Sequence, residues 1–327
     1  MGKGIKMRLA NSHRGVPFAV AQLQRMDDAG QATPDLVCDG CGCNVRFVPG
    51  YKQNRANRVE PVVVPPYIGL TSGSEHVTGC RYDAKGRLKI IAAQSDPDFL
   101  HALSDGKREL RLLALHNCLW RYGKAEHAPS PNGKSAGSNG GTITVVANSD
   151  KQLDSYLRTT ADLLALRAAC GSDEDLAAEL VLRLGSKRIP WKSFFFDDEH
   201  LAEAWELVRK GGANAYPIAI ACKVRNVYQP PAGTPGKSSF LNCRPLFKVT
   251  SDPDRVAAYE ICVGYADGAW LAGFPVGSEI VMFGLWKAAD ITENVAPDKR
   301  DPKRKITYIS HKLTLWPQFK KQVLAVA

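Results

Sequence analysis

The sequence predicts an α+β fold divided among several domains. Three features predict it: the length, a cluster of cysteine and histidine early in the chain, and a switch from helical to alternating hydrophobic periodicity after Gly212. At 327 residues the chain is too long for one typical core, so two or three domains are expected. Hydrophobic residues make up 44% and charged residues 23%, a balance that supports packed cores and argues against wholesale disorder.

The first expected domain spans residues 1–127. Of the nine cysteines, Cys38, Cys41, Cys43 and Cys80 cluster, while Cys118, Cys170, Cys222, Cys243 and Cys262 are scattered. An odd and uneven set argues against a disulfide framework, and the scattered five read as small core residues. The cluster reads as metal ligands. Two sulfurs separated by two residues can face one ion from a tight knuckle, which Cys38-Asp39-Gly40-Cys41 provides, and Gly40 and Gly42 permit the positive backbone angles such a turn uses. His76 and Cys80 supply the second pair. Four such donors complete a tetrahedral shell, so the expected ion is Zn2+ in a structural role. Cys43 is a rival to Cys41, or a free thiol beside the site. The 34 residues between Cys41 and His76 make a long excursion between the two halves of the site.

Residues 128–141 consist almost wholly of Pro, Ser, Gly, Asn and Ala and are expected to be a flexible linker. A helical connector is expected over 142–212, after a short β-branched run from Thr142 to Val146. Leu153, Tyr156, Leu157, Leu163, Leu164 and Leu166 fall at helical spacing, and Leu176, Leu180, Val181 and Leu184 continue it after a break at Gly171 to Asp173. A third helix is expected from Asp198 to Lys210, opened by acidic residues that complement its dipole and closed by Gly211 and Gly212.

Residues 213–327 read as β structure. Five runs rich in Val, Ile, Tyr, Phe and Trp are separated by Pro, Gly, Asp and Asn: 216–228, 239–250, 257–265, 279–287 and 305–316. Five strands in so short and basic a stretch suit a small closed sheet, and the domain looks like an OB-fold nucleic-acid binder, a five-stranded Greek-key barrel. Gly284, inside the fourth run, is expected where that strand bends.

A second resemblance lies in the first domain. The run from Cys38 to Val45, followed by Pro66 to Cys80, resembles the zinc-binding segment of CoiA-like competence proteins, in which a Cys-x-x-Cys knuckle precedes an aromatic and histidine segment and a last cysteine. It covers roughly residues 10–85 and is interrupted by a Pro- and Val-rich insertion from Val59 to Pro66. Nothing after Arg87 matches the nuclease portion of that family, so the resemblance implies a zinc segment and no activity.

Charge points to a polyanion. The net charge is +10, distributed as +7 over residues 1–149, −3 over 150–210 and +6 over 211–327, which suits two basic surfaces joined by a helical element. On the expected barrel, Lys223 and Arg225 share a face in the first strand, Phe240 shares one with Asn242 and Arg244 in the second, and Tyr228 and Phe240 flank the Pro- and Gly-rich loop from Gln229 to Ser238. Lys303, Arg304 and Lys305 lead into the last strand, where they can follow phosphates.

No phosphate-binding loop and no catalytic acid–base spacing is evident, so no catalytic residue is assigned. The function expected is a non-catalytic, zinc-containing accessory protein of the cytoplasm that binds nucleic acid, DNA or RNA and preferentially single-stranded, beside a partner such as a helicase, nuclease or recombinase. The cytosol is expected because no apolar run reaches the roughly eighteen residues of a membrane span and the stretch from Met1 to Lys6 lacks the apolar core of a signal peptide. The rival expectations are a metal-dependent nuclease and a structural scaffold subunit without nucleic-acid contact.

Overall fold

The computed structural model describes residues 5–54, 59, 61–125, 147–170, 174–211, 216–231, 238–297 and 303–326. The expected linker at 128–141, the run from Thr142 to Val146, the helix break at Gly171 to Asp173, most of the loop between Gln229 and Ser238, and residues 299–302 of the basic run lie outside them.

The chain opens with short strands that turn back on one another: β1 (Leu9–Ser12), β2 (Pro17–Ala19), helix α1 (Val20–Asp28), β3 (Leu36–Cys38), β4 (Asn44–Val48), β5 (Tyr51–Gln53), β6 (Val62–Val64) and β7 (Tyr67–Leu70). Five of them form one antiparallel sheet in the order β2-β1-β3-β4-β7, while β5 pairs with β6 alone. Alternation along the strands sends Ala10, Leu36, Val45, Ile68 and Leu70 to one face, where Leu23 of α1 and Met7 close a small core. Cys38 and Cys80 belong to the same core.

A mixed unit follows, made of α2 (Ala84–Gln94), β8 (Leu100–Ala102), β9 (Arg108–Arg111), α3 (Leu112–Ala125), α4 (Ala147–Ala169), α5 (Glu174–Ala177), β10 (Leu180–Leu184) and β11 (Lys187–Ile189). Here the structure corrects the reading of a second helix running to Leu184. Among the described residues of that stretch only Glu174–Ala177 is helical, and Leu180–Leu184 is a strand. So short an apolar run satisfies both periodicities, and pairing decides it. The strand β10 lies parallel to β9 and antiparallel to β11, giving a four-stranded sheet in the order β11-β10-β9-β8. A parallel neighbour needs a crossover connection, and α3 and α4 lie in the chain between β9 and β10. The sheet therefore draws strands from both sides of residues 128–141.

The last unit contains β12 (Phe195–Phe196), α6 (Leu201–Gly211), β13 (Ile218–Tyr228), β14 (Ser239–Cys243), β15 (Leu246–Val249), β16 (Arg255–Tyr265), α7 (Gly268–Ala272), β17 (Glu279–Gly284), β18 (Trp286–Ala288), β19 (Thr292–Pro297), β20 (Lys305–Leu315) and β21 (Val323–Ala325). They form one curled sheet of ten strands along the path β18-β20-β16-β14-β13-β17-β21, with β12 on β13, β15 on β16 and β19 on β20. The count exceeds the five expected runs for local reasons. Pro245 has no N–H to donate and divides the second run, and the fourth divides after Gly284. The strands β12, β19 and β21 carry too little apolar alternation to announce themselves. Gly284 has φ +154°, and a Cβ there would lie 2.6 Å from Gln322 Nε2, so a side chain here would be strained and would displace Gln322.

Three faces result. The inner face of the curl buries Ile220, Val224, Leu241, Ile261, Met282 and Leu313, and α6 closes it with Trp205. The outer side of β13 and β17, through Ala219, Ala221, Val281 and Phe283, joins the core of the helical unit. The outer side of β14, β16 and β20 faces neither core.

Candidate metal centre and sheet face

The first half of the metal centre is the turn between β3 and β4. Cys38 ends β3, its N–H donates to Cys43 O at 2.8 Å, and the N–H of Gly42, at φ +75°, donates to Cys38 O at 2.8 Å. The N–H of Gly40 donates to Cys38 Sγ at 3.3 Å, the kind of bond that holds a thiolate in a knuckle. The second half follows β7. A turn from Val77 to Cys80 carries Gly79 at φ +89°, and Asp83 then caps α2 by accepting from the Lys85 N–H at 3.1 Å. The long excursion between the halves is a β excursion: β4 and β7 pair antiparallel, so the chain returns beside the knuckle it left. An ion pair between Asp39 and Arg81 ties the two halves across the site.

Cys38, Cys41, His76 and Cys80 each bring one donor atom to within 4.8 Å of the others, and together they can hold a metal ion. Their spacing fits Zn2+. With Zn–S bonds of about 2.3 Å and Zn–N of about 2.0–2.1 Å, a tetrahedral shell has S···S edges of about 3.8 Å and N···S edges of about 3.5 Å. The Cys38 and Cys80 sulfurs are 3.7 Å apart, and His76 Nδ1 lies 3.5 Å from Cys41 Sγ and 3.7 Å from Cys80 Sγ. Cys43 presses on the same centre, with Sγ 3.4 Å from His76 Nδ1 and 3.5 Å from Cys41 Sγ.

The thiols are unequal. Burial pushes Cys80 up to about 12 and, with the neighbouring Cys41, Cys43 up to about 11. At Cys41 burial also works upward, but hydrogen bonds from the Cys43 backbone and the His76 ring outweigh it and bring the thiol down to about 6. The knuckle thus favours a thiolate at Cys41, the form in which sulfur binds a metal.

On the C-terminal sheet, two expected contact residues meet. Tyr228 of β13 stands directly opposite Phe240 of β14, and one step along Asn242 Nδ2 donates to Asn226 Oδ1 at 2.9 Å. The Phe240 ring meets Trp316 edge-on with centroids 5.5 Å apart, and Lys312 Nζ sits 5.9 Å from the Phe240 centroid. Below Trp316 is Gly264, where a Cβ would come within 2.6 Å of the indole. Farther along the face Phe247 and Tyr308 pair edge-on at 6.0 Å. Tyr228 is 50% exposed and Trp316 44%, so these rings present surface to solvent.

The other expected contacts disperse. The register shifts between Val224 and Asn226, so the simple alternation that would place Lys223 and Arg225 on one face is interrupted at Arg225. Lys223 stands opposite Glu279. Arg244 is exposed just past β14, and its N–H donates to Lys223 O at 2.8 Å. Arg304 pairs with Asp254 at 2.8 Å, and Lys303, Arg304 and Lys305 enter β20 at the end farthest from Trp316. Sequence reading missed Lys312 and Trp316. The period of two running through Tyr308, Ser310, Lys312 and Thr314 to Trp316 was the available signal.

Among the described residues no helix is long and apolar enough to cross a membrane. The chain matches no protein-family model, and no curated protein is significantly similar to it.

Proposed function

We propose that the protein is a zinc-stapled accessory factor that binds nucleic acid on the outer face of its C-terminal sheet, with single strands preferred to duplex. One observation carries the reading: Tyr228, Phe240 and Trp316 lie together on a face that also bears Lys312, Asn226 and Asn242. Binding a single strand without reading its sequence asks for rings on which bases stack and cations that meet the backbone.

The strand order supports a barrel of the OB kind. The first expected run, β13, pairs with the second, β14, and the fourth, β17, while the third, β16, pairs with the second and, in parallel, with the fifth, β20. The fourth run also meets the fifth, with Trp286 and Lys287 opposite Leu315 and Thr314, the contact that closure as a five-stranded Greek key asks for, and α7 sits between the third and fourth. In such barrels the face over the second and third strands takes the oligonucleotide. Here that face carries Phe240 and Asn242 from the second strand and Gly264 from the third.

The sheet beneath the rings is docked through its other faces, and a pre-ordered platform loses little freedom when a base stacks. The metal centre's donors include Cys38 and Cys80, which belong to the core of the first sheet, so its part is to hold that sheet together. Cytoplasmic residence and a partner enzyme that supplies chemistry complete the proposal.

Fluorescence anisotropy with labelled single-stranded DNA, single-stranded RNA and duplex of equal length tests it. Removing a stacked ring costs about 1–3 kcal/mol, so Phe240→Ala and Trp316→Ala should each weaken single-strand binding by about tenfold. Unchanged affinity in both variants would sink the stacking platform. Steady cleavage of any of these substrates with Mg2+ or Mn2+ would establish the nuclease reading instead.

A further inference from the structure

Three arginines occupy one row across the mixed sheet of the helical unit. Arg183 of β10 is in direct register with Arg111 of β9 on one side and with Arg188 of β11 on the other. Like charges placed directly opposite on adjacent strands repel, so the row carries a cost that a sheet does not take on for packing alone.

One carboxylate relieves part of it. Glu109 forms ion pairs with Arg111 Nε at 3.3 Å and Arg183 Nε at 2.5 Å, and its side chain is only 12% exposed. The same two guanidinium groups reach backbone carbonyls, Arg111 Nη1 to Asp98 O at 3.4 Å and Arg183 Nη1 to Ser186 O at 3.1 Å. These bonds fix the two forks at their inner edges while leaving their side chains 42% and 39% exposed. Arg188 is exposed and, among the described residues, forms no ion pair. The row therefore carries two more positive charges than Glu109 offsets.

We infer that this row is a second phosphate-contacting surface, and that its ligand is the phosphodiester backbone of the nucleic acid proposed to bind the C-terminal sheet. It rests on that reading and extends it from the C-terminal sheet to the mixed sheet of the helical unit. Adjacent strands lie about 4.8 Å apart, so the row spans about 10 Å, the rise of about three nucleotides of one strand. Arginine suits the role because its planar fork meets two phosphate oxygens at once. Such contacts position a backbone and read no sequence.

The test is a salt titration of oligonucleotide binding by the full chain. Each phosphate contact with a single strand contributes about −0.7 to the slope of log K against log salt. Arg188→Glu, at an exposed position, should flatten the slope by about 0.7, and Arg111→Gln/Arg183→Gln/Arg188→Gln combined with Glu109→Gln by about 2. Equal slopes for wild type and Arg188→Glu overturn the row, even if the larger variant fails to fold.

Phe240→Ala, measured in parallel, separates the two proposals. A loss there with Arg188→Glu unchanged leaves the sheet platform standing and removes the row. A flattened slope with Phe240→Ala unchanged does the reverse, and no binding by wild type removes both. Inorganic phosphate at constant ionic strength is the last arm: competition beyond the salt effect would assign the row to free phosphate and overturn the polymer.

Discussion

Gly40 sits where a single methyl group would enter the metal centre, since a Cβ there would lie 3.0 Å from Cys80 Sγ. The knuckle thus needs glycine at position 40 for space, while the positive backbone angle expected of both glycines is taken by Gly42 and not by Gly40. Cys43 poses the sharper question, because five donor atoms crowd a centre that a tetrahedral ion fills with four. Cys38 and Cys80 are buried in the core of the first sheet, whereas Cys41 and Cys43 are half-exposed. Removing a buried ligand leaves the ion without a substitute on that side, while Cys43 duplicates a position that Cys41 already holds. Cys38→Ser and Cys80→Ser should therefore lose zinc, and Cys43→Ser should retain about one ion per chain with an unchanged Co2+ absorption spectrum. Metal analysis of the purified variants reads the first point and Co2+ substitution the second. A spectrum that changes in Cys43→Ser but not in Cys41→Ser would put Cys43 in the place of Cys41 as a ligand.

At the scale of elements, β20 shows what the sequence could and could not say. Its alternation was legible, and so was its place as the last long strand. What it touches was not, because β20 pairs in parallel with β16 across about fifty residues of chain, and no local pattern encodes that register. That pairing brings Trp316 over Gly264 and Lys312 beside Phe240. Likewise the donors Cys38, Cys41, His76 and Cys80 could be named from spacing, but the β4–β7 pairing that closes their gap could not. The strand β10 was misread because its apolar residues fit either period until β9 is present to pair with it. The dependence of Trp316 on Gly264 can be tested directly. In Gly264→Ala the new Cβ would occupy the place of the indole, 2.6 Å from its ring carbons, so Trp316 must swing away. Tryptophan emission should shift to longer wavelength, and single-strand affinity should fall about as far as in Trp316→Ala. Wild-type affinity in Gly264→Ala would show that the ring does not serve as a stacking surface.

Across the whole molecule, stability is unevenly supplied. The helical unit and the inner face of the C-terminal sheet have large apolar cores, and they are fused: Phe283 and Val281 of β17 pack among the leucines of α3 and α4, and Gln318 Nε2 donates to Leu119 O at 3.0 Å. The first sheet has a small core of its own, closed by Leu23 and Met7, with Cys38 and Cys80 among its buried members. A core of that size leaves little margin over chain entropy, and a structural zinc ion is the usual supplement. Because such a site forms only when the chain is folded, the binding free energy of the metal is folding free energy. Chelation should therefore act locally. With excess chelator at neutral pH, limited proteolysis should cut within residues 5–80 and spare a fragment that begins near α2, and emission from the buried Trp205 and Trp286 should stay unchanged. Addition of Zn2+ should restore resistance. Fragmentation spread evenly over the chain would mean that the three units unfold as one, and a first sheet resistant to protease without metal would mean that its apolar core suffices.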